Sequence, residues 1–280
     1  MQRRQIVQGQ LLPDLHQEIG SLTPKLEKLI HILEWARIEE FVRHYSYSTG
    51  RPPHELAWLA NAFIAKVVLG LTTTVHLIER LSIDKALQRT CGFPLHKTLP
   101  SASTFSRAFE TFAKGKLAER THETLIKKHF GDRLIGHISR DGTAIEARER
   151  PQKNNKEDTD KPKPKGLPRK DEKRPVKLNV SRQRTQCLEE MLKEIPSYCN
   201  HGTKCNAQGY KHSWNSYKLH LDIADCGVPI SALLSSAAMH DSRAVIPLSH
   251  ISAARVTNLY DLMNAAYCSI DLHERACALD

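Results

Sequence analysis

Leu134–Glu146 reads LIGHISRDGTAIE, an extended run that carries an aspartate, Asp141, directly before a glycine. Upstream, from about Leu26 to Phe130, apolar residues recur every three or four positions, whereas after about Phe130 that pattern gives way to extended segments. That change of period near Phe130 divides a helical part from a part with strands. Tyr217, Leu219, Leu221 and Ile223 alternate with Lys218, His220 and Asp222 as in a half-buried strand. Asp225-Cys226-Gly227 reads as a tight turn, Val228–Leu234 as a returning strand, Asp241–Ile251 as a helix and Val256–Met263 as one more strand. Gln183–Ile195, with Leu188, Met191, Leu192 and Ile195 on one face, reads as a helix beside them. The expected fold class is α+β overall: an all-α N-terminal domain over residues 1–130, then an α/β domain with a mixed sheet over residues 131–280.

Within the helical part, Leu56, Leu59, Phe63, Val67 and Leu71 keep helical spacing, Ala60, Ile64 and Val68 widen the stripe, and Pro52-Pro53 stands before it. A second helix is expected after Thr72-Thr73-Thr74, with Val75, Ile78 and Leu81 inward, and a short one around Asp84–Arg89. A third opens at Ser103, whose hydroxyl suits a helix cap, with Phe105, Phe109 and Phe112 on one face and Arg107 on another. The pattern suits a helix-turn-helix module, and period alone serves an ordinary helical bundle equally well. Arg107, Lys114 and Lys116 are its candidate phosphate contacts, with plain solvation as the alternative.

The chain has 280 residues, is 40% hydrophobic, and carries a formal charge of +10. That is enough apolar content for two cores, and the basic balance favours a polyanionic partner. Residues 148–185 hold fourteen Lys and Arg against six Asp and Glu, so eight of the ten net charges lie there. With five prolines and few apolar side chains, this stretch reads as a mobile basic insertion, and Lys161, Lys163, Lys165, Arg169 and Lys170 are its candidate DNA contacts. A solvated linker is the plainer alternative. No apolar run approaches membrane length, the first ten residues lack a secretory pattern, and the seven cysteines include no C-x-x-C pair. The expectation is a cytoplasmic protein with reduced thiols and no membrane partner. Cys199, His201 and Cys205 have a poor spacing for zinc and read as a loop with incidental thiols.

A carboxylate at the centre of an apolar strand is costly without a partner, which singles out Asp141; an exposed turn before glycine is the commoner setting for this pair. His240-Asp241 could orient a group near such a site, or Asp241 could cap the helix that follows.

Several segments together resemble the DDE transposases of bacterial insertion sequences. They are Asp141-Gly142-Thr143 with Ile145-Glu146-Ala147, Gly209-Tyr210-Lys211, Tyr217-Lys218-x-His220, His240-Asp241-Ser242 and YDLMNAAY over residues 260–267. Gly50-Arg51-Pro52-Pro53, the helix from Leu56 and Ser103-Thr104-Phe105 resemble the helical domain that precedes the catalytic domain there. The resemblance implies an RNase H-like fold, transposition by metal-dependent strand cleavage and transfer, Mg2+ held by three carboxylates, and double-stranded DNA at element ends as partner. The first acid falls on Asp141, the catalytic and metal position. The second falls on Asn264, where the family has aspartate, and the third has no counterpart before Asp280. Asp261 belongs to the opposite strand face from 264, and Asp271 and Glu274 lie beyond the strand.

The resemblance therefore implies a C-terminally truncated chain without strand-transfer activity, with an exposed sheet edge prone to aggregation. A non-catalytic DNA-binding fragment that pairs with itself or inhibits a full-length transposase is the alternative, as is a remnant without function. A general RNA-binding role is disfavoured, because no aromatics interleave the basic run.

Overall fold

The computed structural model describes residues 22–42, 54–147, 149–151, 179–183, 185–205, 208–264 and 267. The chain divides into two compact units, Met1–Leu125 and Ile126–Asp280. The fold class is α+β, with helices first and a mixed five-stranded sheet after them. No described helix is long and apolar enough to cross a membrane.

In the first unit, α1 (Pro24–Ala36) starts where Thr23 accepts a hydrogen bond from the Leu26 amide and Pro24 needs no donor partner. Leu26, Leu29, Ile30 and Leu33 form its buried stripe. The expected helix at Leu56 is α2 (Leu56–Val68), but it ends before Leu71, because Gly70 turns the chain at a φ of +69°. Val67 is 79% exposed; the buried line runs instead through Leu59, Ala62 and Ala65, whose small side chains allow neighbouring helices to approach closely.

Thr73 caps α3 (Thr74–Ile83) by accepting from the His76 amide at 3.1 Å. Leu77 and Leu81 face inward at i, i+4 spacing, and Val75 is exposed, which corrects the expected inner face. Asp84 caps α4 (Lys85–Thr90) through the Leu87 amide at 2.9 Å. The third expected helix, α5 (Ala102–Lys114), begins earlier than Ser103. Ser101 is its cap residue, with its hydroxyl bonded to those of Ser103 and Thr104 rather than to a backbone amide. Phe63 sets its ring against Phe105, Phe109 and Phe112, so these three phenylalanines do share a face, although Phe109 remains largely exposed. A turn with Lys116 at a φ of +47° leads into α6 (Leu117–Phe130), which sequence periodicity left undivided.

The second unit is built on β1 (Leu134–Glu146). Helix α7 (Asn179–Gln183) and helix α8 (Leu188–Glu194) replace the single helix expected over Gln183–Ile195. The break follows from Thr185, whose amide and hydroxyl both fold back onto the Arg182 carbonyl, and from Glu190, which accepts from the Cys187 amide to start α8. Next comes β2 (Asn200–Cys205), a strand where a loop was expected. The hairpin of β3 (Lys211–Ala224) and β4 (Pro229–Ser236) turns at Gly227, with a φ of +80°. Helix α9 (Ser242–Ala253) and β5 (Thr257–Met263) complete the order.

Strand β1 lies between β3, antiparallel to it, and β5, parallel to it. Strand β3 is long enough to pair β2 along its first half and β4 along its second. One apolar cluster joins Ile126, Ile135, Ile138, Ala224, Ile230 and Val256, and another joins Ile195, Leu233, Met239, Ala244 and Leu248. On β3 the usual rule for an alternating strand is reversed. Ser216, His220 and Asp222 are fully buried, while Leu219, Leu221 and Ile223 are only partly so. Burying that polar face is tolerable because each member finds a hydrogen-bond or ionic partner.

Candidate functional site

Asp141 sits on β1 beside the end of β5. The parallel register matches Leu134 with Thr257 and Arg140 with Met263, so one further step brings residue 264 alongside residue 141. Asn264 Nδ2 donates to Asp141 Oδ1 at 3.1 Å, and the Gly142 amide donates to the same oxygen at 2.8 Å. Both side chains are solvent-exposed, where the end of β5 lies beside the middle of β1. Asp141 is therefore in a regular strand, not in a turn.

The next residue, Gly142, belongs to the opposite face by strand alternation. A Cβ there would lie 3.0 Å from the Tyr267 hydroxyl and 3.2 Å from His220 Nδ1, so only glycine leaves both groups room. His220 pairs with Gly142 across β1 and β3. Its Nδ1 is 3.1 Å from the Tyr267 hydroxyl and its Nε2 is 3.0 Å from the Ser235 hydroxyl. Donation by Tyr267 to Nδ1, by Nε2–H to Ser235 and by Ser235 to the Ser236 carbonyl at 3.4 Å gives every group a role. Burial pushes the His220 pKa down to about 4, partly countered by Asp241 and Asp141, so the ring is neutral near pH 7. Burial likewise raises the Tyr267 pKa above its ordinary value.

Beside this group, Lys218 donates to the Asp241 carboxylate at 2.6 Å and to the Met239 carbonyl at 3.0 Å. Asp241 is thus committed to Lys218 and makes no side-chain cap on α9, contrary to the capping role. His240 takes the local contact instead, accepting from the Ser242 amide at 3.3 Å.

Arg140, on the same face as His220, is fully buried and binds Asp222 through two bonds of 2.7 and 2.8 Å. Ser252 donates to the same carboxylate at 2.5 Å. Asp261 approaches Arg140 at 3.5 Å, which ties it to the side of β1 away from Asp141. The sequence carried a signal for this cluster in the Lys218-x-His220-x-Asp222 alternation: three polar residues on one strand face, opposite Gly142 and Arg140. Apolar periodicity does not register it.

Arg107 and Lys114 are on the exposed side of α5. Arg107 Nε donates to the Ser103 carbonyl at 3.4 Å, and Lys114 pairs with Glu110 at 2.6 Å. Lys116 occupies the turn after α5. Lys161, Lys163, Lys165, Arg169, Lys170, Asp271 and Glu274 lie outside the described residues, as do Gly50 to Pro53 and most of 148–185. Cys199 is buried and donates to the Glu149 carbonyl at 3.7 Å. Among the described residues, no group of three His, Cys, Asp or Glu side chains is placed to hold a metal ion.

Residues 13–111 match the family model described as a transposase domain, DUF772. The match supports a transposase family for the chain. No curated protein and no solved structure matches it.

Proposed function

We propose that this protein is a DNA-binding chain of the insertion-sequence transposase type, in which an RNase H-like sheet carries an incomplete strand-transfer centre. The observation that carries the reading is the Asp141–Asn264 contact. Two positions that the DDE resemblance assigns to acids stand side by side on parallel strands, and one of them is an amide. The transposase-domain match and the sheet order, with β5 parallel to β1 and β3 and β4 antiparallel beyond it, support the same reading.

The described residues do not fit a two-magnesium centre. Two Mg2+ ions bring four positive charges, and hard cations of this kind take oxygen ligands, chiefly carboxylates. Asp141 supplies one carboxylate, one of whose oxygens already accepts two N–H groups. Asn264 directs an amide N–H at it, and Asp241 is held by Lys218. On this reading the chain binds DNA through its basic charge and does not cut it.

The cationic residues supply the DNA contacts: Arg107, Lys114 and Lys116 on the helical unit, and Lys161, Lys163, Lys165, Arg169 and Lys170 in the basic stretch. Duplex binding measured across salt concentrations tests this reading. Each phosphate contact contributes about 0.9 to the slope of log K against log salt. Replacing Lys161, Lys163, Lys165, Arg169 and Lys170 with glutamine should flatten the slope by up to about 4.5 units. An unchanged slope would remove that stretch from the interface, and salt-independent binding would sink the reading as a whole.

A further inference from the structure

We infer that the Tyr267 hydroxyl, anchored by His220, is a positioning group that sets residue 264 against Asp141. Beyond β5 the Tyr267 amide donates to the Asn264 carbonyl at 3.0 Å. The side chains of the two residues meet opposite faces of β1. Asn264 reaches the exposed Asp141, while the Tyr267 side chain is completely buried over Gly142. The hydroxyl is fixed from three strands at once: Gly142 on β1 leaves it room, His220 on β3 bonds it, and Ser235 on β4 holds the far side of the imidazole. The His220 and Tyr267 rings meet edge-on, with centroids 6.2 Å apart.

The backbone bond between Tyr267 and Asn264 transmits that anchorage to residue 264, because it ties the amide of the buried tyrosine directly to the Asn264 carbonyl. The absence of a side chain at Gly142 is part of the same device. The inference rests on the proposed reading only in treating position 264 as part of the site; the contact itself belongs to the chain as it is.

The test is nuclear magnetic resonance on the full chain. The Asn264 side-chain amide and the Gly142 backbone amide donate to one oxygen, so their protons lie within about 5 Å and should show an NOE. Tyr267→Phe keeps the buried ring and removes only the hydroxyl, and this NOE should then fall at least several-fold while the remaining amide spectrum stays in place. His220→Leu should have the same effect. His220→Gln, which retains an acceptor for Tyr267 and a donor for Ser235, should preserve the contact. An undiminished NOE in both Tyr267→Phe and His220→Leu would overturn the inference and reduce Tyr267 to ring packing. The DNA-binding salt slope is read separately, so failure of the functional reading leaves this result unaffected.

Discussion

Asn264, just past the end of β5, and Asp141, in the middle of the neighbouring parallel β1, share a hydrogen bond of 3.1 Å, although 123 residues separate them in the chain. An amide beside a carboxylate is a self-satisfied pair, since the N–H donates and the carboxylate accepts. Two carboxylates at the same spacing would repel unless a proton or a cation lay between them. On the proposed reading, the residue at position 264 sets whether this site attracts a metal ion or closes on itself.

Gly142→Ala should destabilise the second unit by about 1–3 kcal/mol, the usual cost of forcing an extra carbon into filled space. The added methyl would press on the Tyr267 hydroxyl and His220 Nδ1 at 3.0 and 3.2 Å. Urea unfolding of the full chain measures this, and a midpoint equal to that of the unmodified protein would contradict the crowding described around Gly142.

The buried histidine gives the fold a pH dependence of definite sign. His220 has an ordinary pKa of 6.5 when unfolded and about 4 when folded, because burial disfavours its charged form. Between those values the unfolded chain binds a proton that the folded chain does not, so stability falls as pH drops from 6.5 towards 4 and is fully present above 6.5. The window corresponds to about 3 kcal/mol for this residue. Denaturant midpoints between pH 7.5 and 4.5 should fall less steeply in His220→Gln than in the unmodified chain. Parallel curves would show that His220 does not carry the effect.

Asp222→Ala should be among the most damaging single changes, costing about 3–5 kcal/mol. It would leave the Arg140 guanidinium buried without the carboxylate that takes two of its N–H groups, and would free the Ser252 hydroxyl from its acceptor. Thermal unfolding reads this directly, and a loss below about 1 kcal/mol would indicate that Asp261 or water replaces the lost partner.

The strand end was legible in the sequence because strands have strong local signatures. Leu134–Glu146 and Val256–Met263 read as extended segments, and the resemblance puts Asp141 and Asn264 in one site. The helical unit was legible in outline, yet Val67 and Val75 face outward because neighbouring helices, not apolar spacing alone, determine which face is covered. The cluster behind the site shows in the sequence only as the Lys218-x-His220-x-Asp222 alternation, which apolar spacing reads as a solvated face. Burial of His220, Asp222 and Arg140 depends on partners drawn from β1, β4, α9 and Tyr267, and no local period encodes such pairings. Strand β2 was missed for a related reason, since Asn200–Cys205 has no apolar alternation and gains its order by pairing with the first half of β3.

The central claim, that position 264 leaves this site short of the charge a metal needs, is tested most directly by Mn2+ titration followed by electron paramagnetic resonance. The unmodified chain should show no Mn2+ binding that depends on Asp141. Asn264→Asp should bind the ion about tenfold more tightly or better, as expected when a carboxylate replaces a neutral ligand, and adding Asp141→Asn to that variant should abolish the gain. Tight Mn2+ binding by the unmodified chain, lost in Asp141→Asn, would contradict the account and show that the site is complete with asparagine at 264.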